Sequence, residues 1–312
     1  VLYSNILQAI GNTPLIQLKS FGKKNMATLY AKAEFLNVGG SIKTRTAYQM
    51  LLDAKRRGII NNKSVIVEVS SGNQGVGLAL VGAVLRLKVV IVMPSSVSEE
   101  RRKLIMQYGA SVVIIEDNGN IGDCIKRCEE YALGLKRENP NVFIPNQFAN
   151  IINPLTHEEQ TAKEIIADLK GNIDGLCLGI GSGGSITGIG RAIKRVNPKA
   201  QIWAVEPKNA TVICNNGKNK IGTHIQMGIG DGIIPPVLDK SLISHVVTVS
   251  DKQALKMAKE LCLKEGILCG ISSGSNLVGA IALAKRLGKG KNVVTVLHDT
   301  GERYFSTPLF ER

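Results

Sequence analysis

The chain has 312 residues, of which 44% are hydrophobic and 4% aromatic, and its 39 Lys and Arg against 25 Asp and Glu give a formal net charge of +14. That length supports a well-buried core in one large domain or two smaller ones. The charge admits an anionic partner, but the basic clusters (Lys55 to Arg57, Arg101 to Lys103) are short and no aromatic residues interleave with them, which argues against nucleic acid and for a small phosphate or carboxylate ligand.

Six cysteines (Cys124, Cys128, Cys177, Cys214, Cys262, Cys269) are scattered without a CxxC pair or a histidine at ligand spacing, so neither a zinc site nor a disulfide framework is indicated. The opening VLYSNILQAIGNTP has no basic start followed by an apolar core, and no apolar run is long enough to span a bilayer. The chain reads as a cytoplasmic protein with reduced thiols and no metal.

In chain order, SVIVEV (64–69), KVVIVMP (88–94), SVVIIED (111–117), GLCLGIG (175–181), QIWAVEP (201–207) and NVVTVLHD (292–299) read as buried strands, with amphipathic helical stretches between them. This alternation predicts an α/β fold built on parallel sheets covered on both faces. Several strands run into glycine- or serine-rich turns, which places those turns at the carboxyl ends of strands, where open α/β sheets bind ligands. The stretch 135–154, rich in Pro and Asn, is the best candidate for a domain junction.

Six segments carry the chemistry. LNVGGSIKTRTAYQM (36–50) sets Lys43 at the start of a predicted helix, where the helix dipole and partial burial both disfavour the ammonium and make the amine a better nucleophile. EVSSGNQGVGLAL (68–80) crowds Ser70, Ser71, Asn73 and Gln74 into a strand-to-helix turn suited to a carboxylate, and NQF (146–148) adds the amide of Gln147. GIGSGGSITG (179–188) follows a strand and opens a helix, a phosphate cradle in which Ser182, Ser185 and Thr187 add hydroxyls. It also satisfies GxGxxG, with Glu206 placed as a dinucleotide ribose partner, so a nicotinamide-dependent oxidoreductase stands as an alternative at this point. GISSGSNL (270–277) offers Ser272 and Ser273, and QMGIGDGIIP (226–235) places the single carboxylate of Asp231 among three glycines. Taken one at a time, the Ser and Asn residues also read as helix N-caps.

Together with AIGNTPLIQL (9–18), MPSSVSEERRKLIMQYGA (93–110), PNQFANIINP (145–154) and DTGERYFST (299–307), these segments resemble the pyridoxal-phosphate (PLP) enzymes of the cysteine synthase and cystathionine β-synthase family, fold type II. The resemblance runs through nearly the whole chain. It implies two α/β domains, each with a central, mostly parallel sheet flanked by helices, and an active site in the cleft between them. Residues 36–148 would form a smaller domain with Lys43 and the carboxylate turn. Residues 1–35 plus 149–312 would form a larger one with the phosphate loop. Carried over by position, Lys43 would hold PLP as the internal aldimine and move the substrate α-proton. Gly181, Ser182, Gly183, Gly184 and Ser185 would bind the phosphate, Asn73 the ring phenolic oxygen and Ser272 the pyridine nitrogen. Ser70, Ser71, Asn73, Gln74 and Gln147 would grip the substrate carboxylate, with Gly230 and Asp231 lining the same pocket. The resemblance also implies a homodimer, leaves docking of a serine acetyltransferase open, and makes the chain a minimal catalytic core without a haem-binding extension or regulatory module.

The chain departs from the family pattern at several places. Val38 stands where a proline is usual, Thr44 where an aspartate usually follows the lysine, Gln74 where a threonine is common, and His298, which reads as a packed histidine, where a proline is common. The largest departure is Asp231, where many cysteine synthases read GIGAGFIP.

The shared intermediate of the family is an α-aminoacrylate on PLP, and the entering nucleophile defines the enzyme. Hydrosulfide is an anion that a fixed carboxylate repels by about 3 kcal/mol at ~5 Å and an effective dielectric of ~20. Water needs a general base, worth roughly 10²–10⁴ in rate, and a buried Asp231 with a raised pKa suits that task. The expectation is a cysteine hydroxyl-lyase that converts L-cysteine and water to L-serine and hydrogen sulfide. The alternatives are that Asp231 caps its own turn in an ordinary O-acetyl-L-serine sulfhydrylase, or that it orients an amino-acid nucleophile in a lanthionine- or cystathionine-forming enzyme.

Overall fold

The structure is a computed structural model that describes residues 1–70, 72–118, 121–214 and 220–311. The chain opens with β1 (Leu15–Gln17) and β2 (Thr28–Ala33), followed by α1 (Lys43–Arg56). Four β-α steps follow: β3 (Val65–Val69) with α2 (Asn73–Leu85), β4 (Lys88–Pro94) with α3 (Glu99–Gln107), β5 (Ser111–Ile115) with α4 (Ile121–Glu138), and β6 (Val142–Phe143) leading to α5 (Ile152–Thr156). A π turn over His157–Thr161 joins α5 to α6 (Ala162–Asp168). Then come β7 (Gly175–Gly179), α7 (Gly184–Val196), β8 (Gln201–Pro207), and the short pair β9 (Ala210–Thr211) and β10 (Lys220–Ile221). The chain closes with β11 (His245–Val249), α8 (Asp251–Glu265), α9 (Ile271–Leu287) and β12 (Asn292–Leu297).

Two larger sheets organise these elements. A four-stranded sheet in the order β5-β4-β3-β6 is parallel throughout. A six-stranded sheet in the order β1-β2-β12-β7-β8-β11 is parallel except for the edge pair β1 and β2. The central strand β7 is buried at every residue, as a strand covered on both faces must be. Helix α9 approaches it so closely that a Cβ at Gly279 would stand 2.6 Å from Cys177 Sγ. The edge strand β5, by contrast, is only partly buried, although its apolar sequence reads as a buried strand.

Helix α2, NQGVGLALVGAVL, is apolar all round and lies buried between its sheet and α1. The register of the larger sheet sets Leu297, the last residue of β12, beside Ala33, the last of β2. The segments that leave these two strands, 34–43 and 298–304, therefore start side by side. The turn after β3 and the loop after β7 are also at carboxyl ends, so the fold gathers the segments singled out in the sequence at strand ends of the two sheets.

Candidate active site

Lys43 is the first residue of α1, and three sets of contacts fix it. The turn before it uses Gly39 and Gly40, both at positive φ (72° and 67°). This turn is stitched to the segment after β12 by Ile42 N–H to the His298 carbonyl (2.9 Å) and Thr300 N–H to the Gly40 carbonyl (3.1 Å). Helix α2 meets the backbone of Lys43 at Gly77, where an added Cβ would stand 3.1 Å from the Lys43 carbonyl oxygen. Two residues on, the buried Arg45 anchors the first turn of α1 to Glu34 (2.8 Å) and Glu164 (2.6 Å). Burial holds the Lys43 amine below the ordinary lysine value, against the opposing pull of the Asp231 and Asp299 carboxylates.

The loop from Gly181 to Ser185 leaves β7 and starts α7, whose first backbone N–H groups have no intrahelical acceptor. No side chain fits at its glycines. A Cβ at Gly181 would stand 2.2 Å from the Gly228 carbonyl oxygen, and one at Gly184 2.0 Å from Asn153 Oδ1, while Gly183 holds φ +78° against Leu238. Asn153 Nδ2 donates to Ser182 Oγ (2.9 Å) and to the Gln147 carbonyl (2.8 Å), tying this loop to the NQF segment. Ser185 and Ser272 are buried residues, and among the described residues their hydroxyls hydrogen-bond to no group of the chain.

In the turn after β3, Ser70 Oγ accepts from the N–H groups of Gly72 (3.2 Å) and Gly75 (3.1 Å), the helix-start role that serine commonly takes. Ser71 lies outside the described residues. Asn73 Nδ2 donates to Asp299 Oδ2 (2.7 Å), and its Oδ1 accepts from Arg303. Gln74 is turned into the interface of α1 and α2, where its Oε1 accepts from the Thr46 hydroxyl (2.8 Å). Gln147 is buried, and among the described residues its side chain has no hydrogen-bond partner.

Asp231 stands against the phosphate loop. Gly230 N–H donates to the Ile180 carbonyl (2.8 Å), and a Cβ at Gly181 would lie 3.6 Å from Asp231 Oδ2. Among the described residues no donor hydrogen-bonds to the Asp231 carboxylate, so the turn-capping role weighed from sequence is not formed. Burial raises its pKa, and His224 and Lys43 pull against that rise.

Glu206 is committed elsewhere than a ribose. Its carboxylate accepts from the N–H groups of Val212 (2.9 Å), Ile213 (2.9 Å) and Cys214 (3.0 Å), capping the turn after β9. His298 lies inside the site, where burial, and next the charge of Lys43, push its imidazole down to about 4. Asp299, Asn153 and Arg303 are site residues to which the sequence reading assigned no role. The signal for Asp299 and Arg303 was the DTGERYFST segment, and for Asn153 the PNQFANIINP segment.

A sequence profile described as "pyridoxal-phosphate dependent enzyme" matches residues 6–299. The chain belongs to this family. A cysteine synthase of Staphylococcus aureus is 41% identical over 307 residues, covering 98% of this chain and 96% of that protein. Among solved structures, a hydrogen sulfide-producing enzyme from Fusobacterium nucleatum superposes with a TM-score of 0.90 at 37% identity, covering 97% of this chain and 98% of that one. A further hydrogen sulfide-producing enzyme, an Asp→Asn variant in complex with an α-aminoacrylate intermediate, superposes with a TM-score of 0.88 at 34% identity, covering 98% of this chain and 91% of that one.

The protein is thus a PLP-dependent β-replacement enzyme of the cysteine synthase type, with the fold type II architecture. This identity overturns the nicotinamide-dependent alternative, and the commitment of Glu206 to a backbone turn gives the physical reason. The residues present fit PLP. A glycine-rich helix start accommodates a phosphate, the hydroxyls of two buried serines have no hydrogen-bond partner among the described residues, and a lysine of lowered pKa lies in the same site. Among the described residues no helix is long and apolar enough to cross a membrane.

Proposed function

We propose that this enzyme acts on L-cysteine, releasing hydrogen sulfide and adding water at the β-carbon to give L-serine, with Asp231 as the base for water. The observation that carries this reading is the state of Asp231: a carboxylate of raised pKa, on a loop pinned to the phosphate cradle, with no hydrogen-bond donor to it among the described residues. Bound PLP supplies an electron sink that loosens the substrate Cα–H bond and the β-substituent.

The chain supplies the rest. Lys43 is the amine that anchors PLP and moves the α-proton. Gly181, Ser182, Gly183, Gly184 and Ser185 receive the phosphate, with Asn73 and Ser272 against the ring. Ser70, Ser71, Asn73 and Gln147 take the substrate carboxylate, and Gln74 braces that turn on α1 through Thr46. Asp231 accepts a proton from water as its oxygen bonds to the β-carbon, work worth roughly 10²–10⁴ in rate.

The second reading is O-acetyl-L-serine sulfhydrylase activity, which the 41% identity to a cysteine synthase favours. Against it, a fixed carboxylate repels incoming hydrosulfide by about 3 kcal/mol at ~5 Å and an effective dielectric of ~20. Incubation with L-cysteine in ¹⁸O-labelled water separates the two. The expected products are sulfide and ¹⁸O-labelled serine in equal amounts. Absence of labelled serine, with rapid formation of cysteine from O-acetyl-L-serine and sulfide, overturns the hydroxyl-lyase reading.

A further inference from the structure

We infer that His224 is a positioning residue for Asp231, bracing the peptide that precedes the carboxylate and so governing how well water is added. This inference rests on the reading of Asp231 as the base.

Asp231 is held through its backbone. No donor among the described residues grips its carboxylate, so its aim depends on the backbone that carries it. That backbone is held at Gly230 from several directions. The Gly230 N–H donates to the Ile180 carbonyl (2.8 Å), next to the phosphate loop. Its carbonyl oxygen lies 3.1 Å from His224 Nε2. Its φ is +76°, and the space around its Cα is closed, with Pro207 Cγ 2.5 Å and His224 Nε2 3.0 Å from an added Cβ.

The tautomer of His224 follows from the same geometry. The Gln226 backbone N–H points at His224 Nδ1 (3.2 Å), and a backbone amide only donates. Nδ1 is therefore bare, the ring proton sits on Nε2, and that N–H donates to the Gly230 carbonyl. The ring thus spans the loop, from the amide of Gln226 to the carbonyl of Gly230. Gln226 is itself a fixed base for this brace. It is fully buried, its Nε2 donates to the Val249 carbonyl (2.9 Å) and Asp251 Oδ1 (2.8 Å), and its Oε1 accepts from Ser275 (2.7 Å). One end of the loop is anchored to α8 and α9 and the other to the residue after β7, with the imidazole as the cross-member. A catalytic group held within a few tenths of an ångström needs such support.

The test compares His224→Leu, which fills space without a donor, with His224→Gln, whose terminal amide restores one. Two measurements are made on the holoenzyme: deuterium exchange of segment 226–235, and single turnover of L-cysteine in ¹⁸O-labelled water, following sulfide release and labelled serine separately. In His224→Leu, exchange protection of the segment is lost and sulfide release stays within about twofold of wild type, while labelled serine forms roughly tenfold to a hundredfold more slowly, as expected when a base is misplaced. In His224→Gln both return toward wild type. A parallel fall of sulfide and serine in His224→Leu, or unchanged serine formation, overturns the inference. Wild-type enzyme that makes no labelled serine overturns the assignment of Asp231 instead. The brace is then judged by exchange alone: protection lost in Leu and regained in Gln upholds it, and unchanged protection in Leu overturns it.

Discussion

Asn73 donates its Nδ2 to Asp299 Oδ2 at 2.7 Å, joining the first residue of α2 to the segment that leaves β12. The same carboxylate oxygen accepts from the Tyr304 hydroxyl (2.8 Å) and lies 3.7 Å from the Arg101 guanidinium, which in turn sits over the Tyr304 ring. Arg303 closes the circuit by donating to Asn73 Oδ1 and to the Gly39 carbonyl, just before Lys43. The segments bearing the lysine, the carboxylate turn and the end of β12 are therefore joined through Asn73, with Arg303 on one side of it and the buried Asp299 carboxylate on the other. Asp299→Ala leaves the buried cations of Arg101 and Arg303 without it and is expected to cost about 3–5 kcal/mol of stability, as removal of one partner from a buried charge cluster does. Asp299→Asn, which keeps the shape and one acceptor, should cost less. Urea unfolding of the holoenzyme measures both, and a loss under about 1 kcal/mol for Asp299→Ala would reduce the cluster to the rank of a surface ion pair.

The phosphate loop gives a sharper prediction because its glycines tolerate no side chain. In Gly184→Ala the new Cβ would stand 2.0 Å from Asn153 Oδ1, so Asn153 must swing away and give up its bonds to Ser182 and Gln147. We expect PLP affinity to fall by about tenfold to a hundredfold, equivalent to roughly 1.4–2.8 kcal/mol. Fluorimetric titration of the apoenzyme with PLP reads this directly. An unchanged dissociation constant would show that Asn153 gives way without consequence for the loop.

Asp231→Asn separates the two halves of the proposed reaction. The variant keeps the size of the side chain and removes its basicity, so one equivalent of sulfide should be released from L-cysteine, after which steady-state serine formation should fall by roughly 10²–10⁴. Rapid multiple turnover by Asp231→Asn would leave water addition to some other group.

What could be read in the sequence, and what could not, follows from the range of the interactions. β3, β4, β7 and β8 are apolar runs that end in Gly, Ser or Pro, and they stand where those runs predict. β2 was hidden because a buried lysine interrupts it. Lys32 is neutralised by Glu164 at 2.8 Å, a partner no local pattern announces. β1 and β6 are three and two residues long, too short to show a period. In the site, Lys43, the glycine loop and Asp231 stood out because each is chemically odd in its own few residues. Asp299 and Asn153 did not, since their roles depend on Asn73, 226 positions away from Asp299, and Ser182, 29 positions away from Asn153. Glu206 shows the converse, a residue at the spacing of a ribose partner whose carboxylate serves the turn beside it.

Glu68 provides a prediction that needs no assumption about the reaction. It lies buried in β3, two residues before Ser70, and its Oε2 has no partner among the described residues. Burial pushes its carboxyl from 4.5 up to about 8, and the backbone amides of Gln147 and Asn146 only partly oppose that. The folded protein therefore keeps a proton that the unfolded chain has already lost. Between these two values the unfolded state binds fewer protons, so stability must fall as pH rises from 4.5 toward about 8 and level off above it. The slope from this one group is at most about 1.4 kcal/mol per pH unit. Glu68→Gln is neutral at every pH and should lack that slope, matching wild type below pH 4.5 and exceeding it increasingly as pH rises to about 8. Urea unfolding of both proteins across this range tests it. Parallel pH dependences would mean that Glu68 is ionised in the folded state at neutral pH, with its charge met by the Gln147 and Asn146 amides after all.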